Sequence, residues 1–406
     1  MEEVAARLFD FPVSQKTINV LLSDIEYVLH MLAEESMDLD KGEYSKMKTV
    51  VVGMSGGVDS SVCAYLLKQQ GYRVIGVTMK TREDEDFCPL EENGEGGNGI
   101  VADAKRVAEK LDIPYYVIDF KDVFREKVID YFINEYRAGR TPNPCIVCNR
   151  HVKWESLLEK SMALGADYIA TGHYASVVQL ENGRWSLRSA KSIDGRSKDQ
   201  TYALYKLTQE QLSRTIMPCG QYTKEEIRRI AEEADLPVAH KPDSEEICFI
   251  PDKDYAGFIE RDTGTHDEPG NFVDMEGNIL GRHKGITHYT IGQRKRLGIS
   301  LGRPVFVKEI RPETNEVVIC DNADLFVREL YAEDLNFMGI SDVSGKEPVI
   351  AKIRYNHLGA AAYVERVGED RIHVVFEEPQ RAVTPGQSVV FYREGVVLGG
   401  GTIIGA

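Results

Sequence analysis

The segment Val50-Val51-Val52-Gly53-Met54-Ser55-Gly56-Gly57-Val58-Asp59-Ser60 constrains the fold more than any other. Three β-branched apolar residues in a row read as a buried strand, the serine and glycine cluster as a turn, and Ser60 to Gln70 as a helix. The rhythm continues with a strand at Arg73 to Met79, a helix near Asp103 to Leu111 and a strand at Tyr115 to Ile118. A further helix–strand pair spans Ser156 to Thr171. Alternation of this kind predicts an α/β fold, a doubly wound parallel sheet with helices on both faces. Ligands bind such sheets at the carboxyl ends of the strands, and both Ser55–Ser60 and Gly172-His173 fall at such ends.

The glycine turn has the makings of an anion site. Gly56 and Gly57 let successive backbone N–H groups turn toward one point, and a helix N-terminus adds partial positive charge there. Ser55 and Ser60 can donate hydroxyl hydrogen bonds to phosphate oxygens, and Asp59 could help hold magnesium. No lysine follows the glycines, so the pattern is not a Walker loop.

The rest of the chain divides by texture. In residues 1–46, Ile18, Leu21, Leu22, Ile25, Val28, Leu29 and Leu32 keep helical spacing, and an acidic stretch from Glu34 to Glu43 follows. This predicts an acidic extension with one amphipathic helix; Met47 is an alternative start. A catalytic domain is expected over 47–264, with Glu91 to Gly99 as a mobile loop. A central domain follows over 265–330. Alternation such as Ala351-Lys352-Ile353-Arg354-Tyr355 predicts a small β-barrel over 331–406.

Composition excludes some classes and leaves others open. No apolar run reaches the roughly 20 residues of a membrane helix, and the Met-Glu-Glu start carries no secretory signal. Seven scattered cysteines are an odd number and fit a reducing cytoplasm better than a disulfide framework. The net charge of −16 speaks against nucleic acid when taken whole. It is unevenly spread, however. Gly281 to Pro304 carries Arg282, Lys284, Arg294, Lys295, Arg296 and Arg303 with no carboxylate, and Arg137, Arg140, Arg150 and Lys153 share a second acid-free stretch. Thr141-Pro142-Asn143-Pro144-Cys145-Ile146-Val147-Cys148-Asn149-Arg150 holds one Cys-x-x-Cys, open to redox, metal or core readings, with no second pair to complete a zinc site. Its polar, basic neighbours predict an accessible thiol of lowered pKa. Cys63 and Cys320 read as core.

Ser55-Gly56-Gly57-Val58-Asp59-Ser60 resembles the signature of the PP-loop ATP pyrophosphatases, which cut ATP between its α and β phosphates. That resemblance implies adenylation of a substrate oxygen; amidating synthetases share the loop. The Cys145–Cys148 segment and Asp243-Ser244-Glu245-Glu246-Ile247-Cys248-Phe249-Ile250 narrow the choice. Both resemble the bacterial tRNA-specific 2-thiouridylases, which act on the wobble uridine. So do Ala170-Thr171-Gly172-His173-Tyr174-Ala175, Ser197 to Tyr202, Thr290 to Lys295 and Pro385-Gly386-Gln387, in order from about residue 48 to the end.

The resemblance implies ATP with Mg2+ on Gly53, Met54, Ser55, Gly56, Gly57, Val58, Asp59 and Ser60, with the adenine near Met79 and Gly172. It implies Cys248 as persulfide carrier and Cys148 as the nucleophile that closes a transient disulfide with it. Asn143, Pro144 and Cys145 match the segment facing the target base. His173, Lys198, Asp199, Gln200, Arg354, Tyr355 and Gln387 match tRNA-contacting positions. A persulfide-donating carrier protein is the implied partner beside tRNA. Some family members have Asp in place of Cys145. Three thiols here, Cys145, Cys148 and Cys248, leave an iron–sulfur cluster open as an alternative to the persulfide route.

Overall fold

Val50, Val51 and Val52 are completely buried because their strand is flanked on both sides. In the computed structural model, which describes residues 47–82, 99–191, 198–242 and 247–406, β1 (Thr49–Gly53) runs parallel between β2 (Arg73–Lys80) and β4 (Tyr168–Thr171). β3 (Tyr115–Asp119) pairs with β2, and the short β7 (Thr215–Ile216) with β4, giving a parallel sheet of order β3-β2-β1-β4-β7. The chain leaves β1 toward one side and returns through β4 on the other, so the crevice for a ligand opens between the ends of β1 and β4.

Strand periodicity divides the core. Val50 and Val52 point to one face, where they pack with α1 (Val58–Gln69), α2 (Ile100–Leu111) and Ile227 of the helix Lys224–Glu233. Val51 points to the other, with Phe124 and Phe132 of α3 (residues 121–137) and Trp154 and Leu157 of α4 (residues 144–163). Both α3 and α4 contain π-helical stretches, Arg125–Ile129 and Cys148–Leu157, which the sequence reading did not anticipate. Cys63 is fully buried and Cys320 nearly so, as expected of core residues.

A second sheet holds β8 (Asn271–Val273), β9 (Ile279–Arg282), β10 (Phe306–Arg311) and β11 (Glu316–Cys320) in the order β10-β11-β8-β9, around Phe272, Tyr289 and Val317. The expected barrel is present. β12 (Phe326–Phe337), β13 (Glu347–Lys352), β14 (Ala360–Gly368), β15 (Arg371–Arg381), β16 (Ser388–Arg393) and β17 (Val396–Gly405) run β12-β15-β14-β13-β16-β17, and β12 pairs back onto β17 to close the ring. A hairpin from the first domain, β5 (Ala175–Gln179) and β6 (Trp185–Ser189), attaches to β17 through Arg188 and Val396. The predicted N-terminal helix, most of the loop from Glu91 to Gly99 and residues 243–246 lie outside the described residues. Among the described residues, no helix is long and apolar enough to cross a membrane.

The barrel is fastened to the first domain by polar contacts. The Tyr202 hydroxyl donates to the Ser388 carbonyl at 2.8 Å and accepts from the Ser388 N–H at 3.2 Å. Lys206, 7% exposed, forms an ion pair with Asp334 of β12 at 2.6 Å. Replacing Tyr202 by Phe leaves both Ser388 backbone groups without this partner, and should cost about 1–3 kcal/mol. A urea titration should show the lowered midpoint; an unchanged one would mean the contact contributes nothing.

Candidate active site

The phosphate-type loop is shaped by one positive backbone angle and one close approach. Gly56 has φ +65, and a Cβ there would lie 2.6 Å from the Ile100 carbonyl oxygen. Gly57 caps α1 with no side-chain hydrogen bond, so the first-turn N–H groups of α1 have no cap side chain as partner. The Ser55 and Ser60 hydroxyls lie 3.3 Å apart, and the Ser55 N–H donates to Ser60 Oγ at 3.1 Å. Met54 is buried; its N–H donates to the Val77 carbonyl and its carbonyl accepts from Thr78 Oγ1, both at 2.8 Å. Gly53 is the last residue of β1, and buried Val58 opens α1. Together these contacts fasten the loop to β2.

Gly172 does not simply follow β4. A Cβ on it would meet the Asp59 carbonyl carbon and the Ser60 nitrogen, each at 2.6 Å, so only glycine lets β4 end against the first turn of α1. Asp59 Oδ1 accepts from the Tyr174 hydroxyl at 2.7 Å and from Lys224 Nζ at 2.6 Å. A magnesium ion would therefore meet Asp59 only in competition with Lys224. Lys241 Nζ donates to the Gly56 carbonyl at 3.1 Å and pairs with Asp103. Lys224 and Lys241 were not singled out in the sequence. They lie 165 and 185 residues from their loop partners, and no local pattern marks them. Met79, half-buried near the end of β2, pairs with Ile118 in register.

The thiols gather beyond the same strand ends. Asn143 caps α4 by accepting the Cys145 N–H at 3.1 Å, and buried Pro144 starts the helix with φ already suited to it. Cys145 and Cys248 are exposed and Cys148 is half-buried. The Cys248 carbonyl accepts from Arg82, two residues past the end of β2, at 2.7 Å. Cys248 is within electrostatic reach of both Cys145 and Cys148.

The expected lowering of thiol pKa is corrected by the structure. Loss of solvation pushes Cys148 up to about 12, with Lys153 opposing, and Cys145 is raised for the same leading reason. Cys145 is exposed by surface area, yet enough protein surrounds its thiol that desolvation is the largest influence on it.

Lys153 ties α4 to β4. Its Nζ lies 2.9 Å from Asn149 Oδ1 and 3.4 Å from His173 Nε2. His173 Nδ1 meets Thr171 Oγ1 at 2.7 Å, and its ring packs on Trp154 with centroids 5.6 Å apart. Burial, then Lys153, holds the His173 pKa well below its ordinary value, so the ring is neutral at pH 7.

Several residues expected to contact a nucleic acid also have internal partners. Asp199 accepts from Thr201 Oγ1 at 2.9 and 3.0 Å, and Gln200 Oε1 accepts the Tyr174 N–H at 2.8 Å. Gln387 Nε2 donates to the Thr141 carbonyl at 2.8 Å, which holds the segment entering α4. Lys198, Arg354 and Tyr355 are exposed; Tyr355 packs edge-on to Tyr202 and lies within electrostatic reach of Cys145. Among the described residues, no three His, Cys, Asp or Glu side chains converge to hold a metal ion. The thiols therefore do not fit a cluster in this arrangement, and no ligand role is assigned to them.

Residues 48–252 match the tRNA methyl transferase HUP domain, 256–321 the tRNA methyl transferase PRC-barrel domain and 327–403 the aminomethyltransferase beta-barrel domain. A tRNA-specific 2-thiouridylase MnmA of Lachnoclostridium phytofermentans is 63% identical over 359 residues, covering 88% of this chain and 100% of that one. Its counterpart in Clostridioides difficile is 54% identical over 357 residues, covering 88% and 98%. That of Carboxydothermus hydrogenoformans is 52% identical over 362 residues, covering 88% and 97%. With a glycine-shaped anion loop and three neighbouring thiols beyond one set of strand ends, and identity of this depth over nearly the whole of its relatives, the chain belongs to the tRNA-specific 2-thiouridylase family of sulfurtransferases.

Proposed function

We propose that this protein converts the wobble uridine of tRNA to 2-thiouridine in the cytoplasm, using ATP and a cysteine persulfide. The observation that carries the reading is the shared edge of the sheet. Gly172 abuts the anion loop, and the next residue, His173, meets Lys153 on the helix of Cys148. Adenylation and sulfur transfer then take place on neighbouring walls of one crevice.

The loop from Gly53 to Ser60 holds the ATP phosphates through the N–H groups of α1 and the Ser55 and Ser60 hydroxyls. Lys224 and Lys241 supply positive charge to the same place. Asp59 is the loop carboxylate that would face a magnesium ion accompanying ATP, an ion that would neutralise part of the phosphate charge. Uridine O2 attacks the α-phosphate and pyrophosphate departs, which turns a poor leaving oxygen into AMP. Cys248 carries the terminal sulfur as Cys–S–SH, loaded by a persulfide-bearing carrier protein. The Cys148 thiolate attacks the inner sulfur, giving a Cys148–Cys248 disulfide and hydrosulfide. Hydrosulfide adds at C2, AMP leaves, and an external dithiol later reduces the disulfide. Exposed Lys198, Arg354 and Tyr355, with the acid-free run from Gly281 to Pro304, are the surfaces offered to tRNA.

The test is nucleoside mass spectrometry of unmodified tRNA after incubation with protein, ATP and a sulfide source, with the metal content recorded. ATP-dependent 2-thiouridine is expected, falling at least about a hundredfold in Cys248→Ser and in Cys148→Ser. No thiolated product despite ATP cleavage would sink the sulfur assignment. A strict requirement for iron would replace the persulfide route by the iron–sulfur one. Gly172→Ala forces backbone atoms apart and should weaken ATP binding about tenfold, roughly 1.4 kcal/mol, by calorimetry. A chain starting at Met47 should keep full activity in vitro; its inactivity would give residues 1–46 a catalytic part.

A further inference from the structure

Cys148 and Lys153 are five residues apart. In an α-helix of 3.6 residues per turn they would project about 140° from each other, on different faces. The stretch Cys148–Leu157 is instead π-helical, closed by hydrogen bonds between residues five apart, and this register turns Lys153 toward the face of Cys148. Two anchors then fix the ammonium. Asn149 Oδ1 accepts from it at 2.9 Å, while Asn149 itself is buried and donates from Nδ2 to the Ala203 carbonyl at 2.8 Å. His173 Nε2 lies 3.4 Å away, and because an ammonium can only donate, the neutral ring accepts there. Trp154 backs the ring and is itself held by its indole N–H on Thr215 Oγ1 at 2.8 Å.

We propose that Lys153 is the positioning residue for Cys148, an ammonium held by Asn149 and His173 beside the thiol so that negative charge can form on that sulfur. The π-helical register is what brings the two together. The other titratable groups facing Cys148 are the Cys145 thiol on its own helix and the Cys248 thiol. Neither is a cation, so Lys153 is the group among these that favours a thiolate. His173 belongs to this assembly as a fixed acceptor. The inference deepens the sulfur-transfer reading, in which Cys148 must attack as a thiolate.

The test reads the thiol directly, on the full chain without ATP, tRNA or a sulfur source. Iodoacetamide alkylates a thiolate, the S–C bond forming as iodide leaves. Rates at Cys145, Cys148 and Cys248 are followed from pH 7 to 10, with fragment ions separating the two cysteines that share residues 141–150. Lys153→Met should slow Cys148 at pH 8 about tenfold, equivalent to a one-unit upward move of its profile, and leave Cys248 within about twofold. Lys153→Arg should restore most of the rate. Cys63, fully buried, stays unlabelled in any variant that has folded. An unchanged Cys148 profile in Lys153→Met, an equal slowing at Cys248, or an Arg variant as slow as the Met variant would overturn the assignment. Should Cys148 slow while tRNA thiolation keeps its native rate, Lys153 keeps its role and the proposed attack by Cys148 fails instead.

Discussion

Everything at this site depends on how closely β4 ends against α1. Parallel pairing on both sides of β1 puts the two strand ends level, with Gly53 opposite Thr171. The next residue on the β4 side is Gly172, packed against backbone of Asp59 and Ser60 with no room for a side chain. This contact sets the height of the loop, whose N–H groups need a fixed common focus to act on an anion. It also sets the position of His173, which meets Lys153 on the helix of Cys145 and Cys148. One missing Cβ thus fixes the spacing between the glycine loop and the end of β4.

The charge distribution follows from the same geometry. A net charge of −16 would repel a polyanion if it were spread evenly. Around the loop, however, Lys224 and Lys241 arrive from the helix Lys224–Glu233 and the segment after it, and each has an acidic partner, Asp59 and Asp103. Such pairs hold the ammonium groups in place without an anion present. An arriving phosphate would compete with the carboxylates for them, so the loop need not carry a lysine of its own.

The fold was legible where burial on both faces forces a continuous apolar run. β1, β2 and β3 and the helices α1 and α2 fall within a few residues of their expected bounds for that reason. The closed barrel was legible from alternation, because each strand has one face inward. The hairpin β5–β6 was not seen to join the barrel, since register between distant strands leaves no local mark. The π-helical stretches were invisible for a related reason: Cys148–Leu157 has a composition no different from an α-helix, and no local residue pattern marks its wider turn. At the site, the glycine loop and the cysteine pair stood out because their residue types are costly anywhere else. Lys224 and Lys241 did not, as lysines are common, and Lys153 was marked only as one of the bases of an acid-free stretch. The direction of the thiol pKa was misread because basic neighbours are visible in a sequence, whereas burial is not.

Desolvation of the Cys148 thiol protects it as much as it hinders it. Thiolate character and access together govern oxidation and stray alkylation. A cysteine left exposed beside a cation would be a thiolate at all times and open to both. Here desolvation dominates at Cys148, and a single ammonium opposes it from one side. Such a thiol is held mostly neutral. Lys153 also contacts His173 at the end of β4, so the group that opposes desolvation at Cys148 is held by the strand that Gly172 brings against α1.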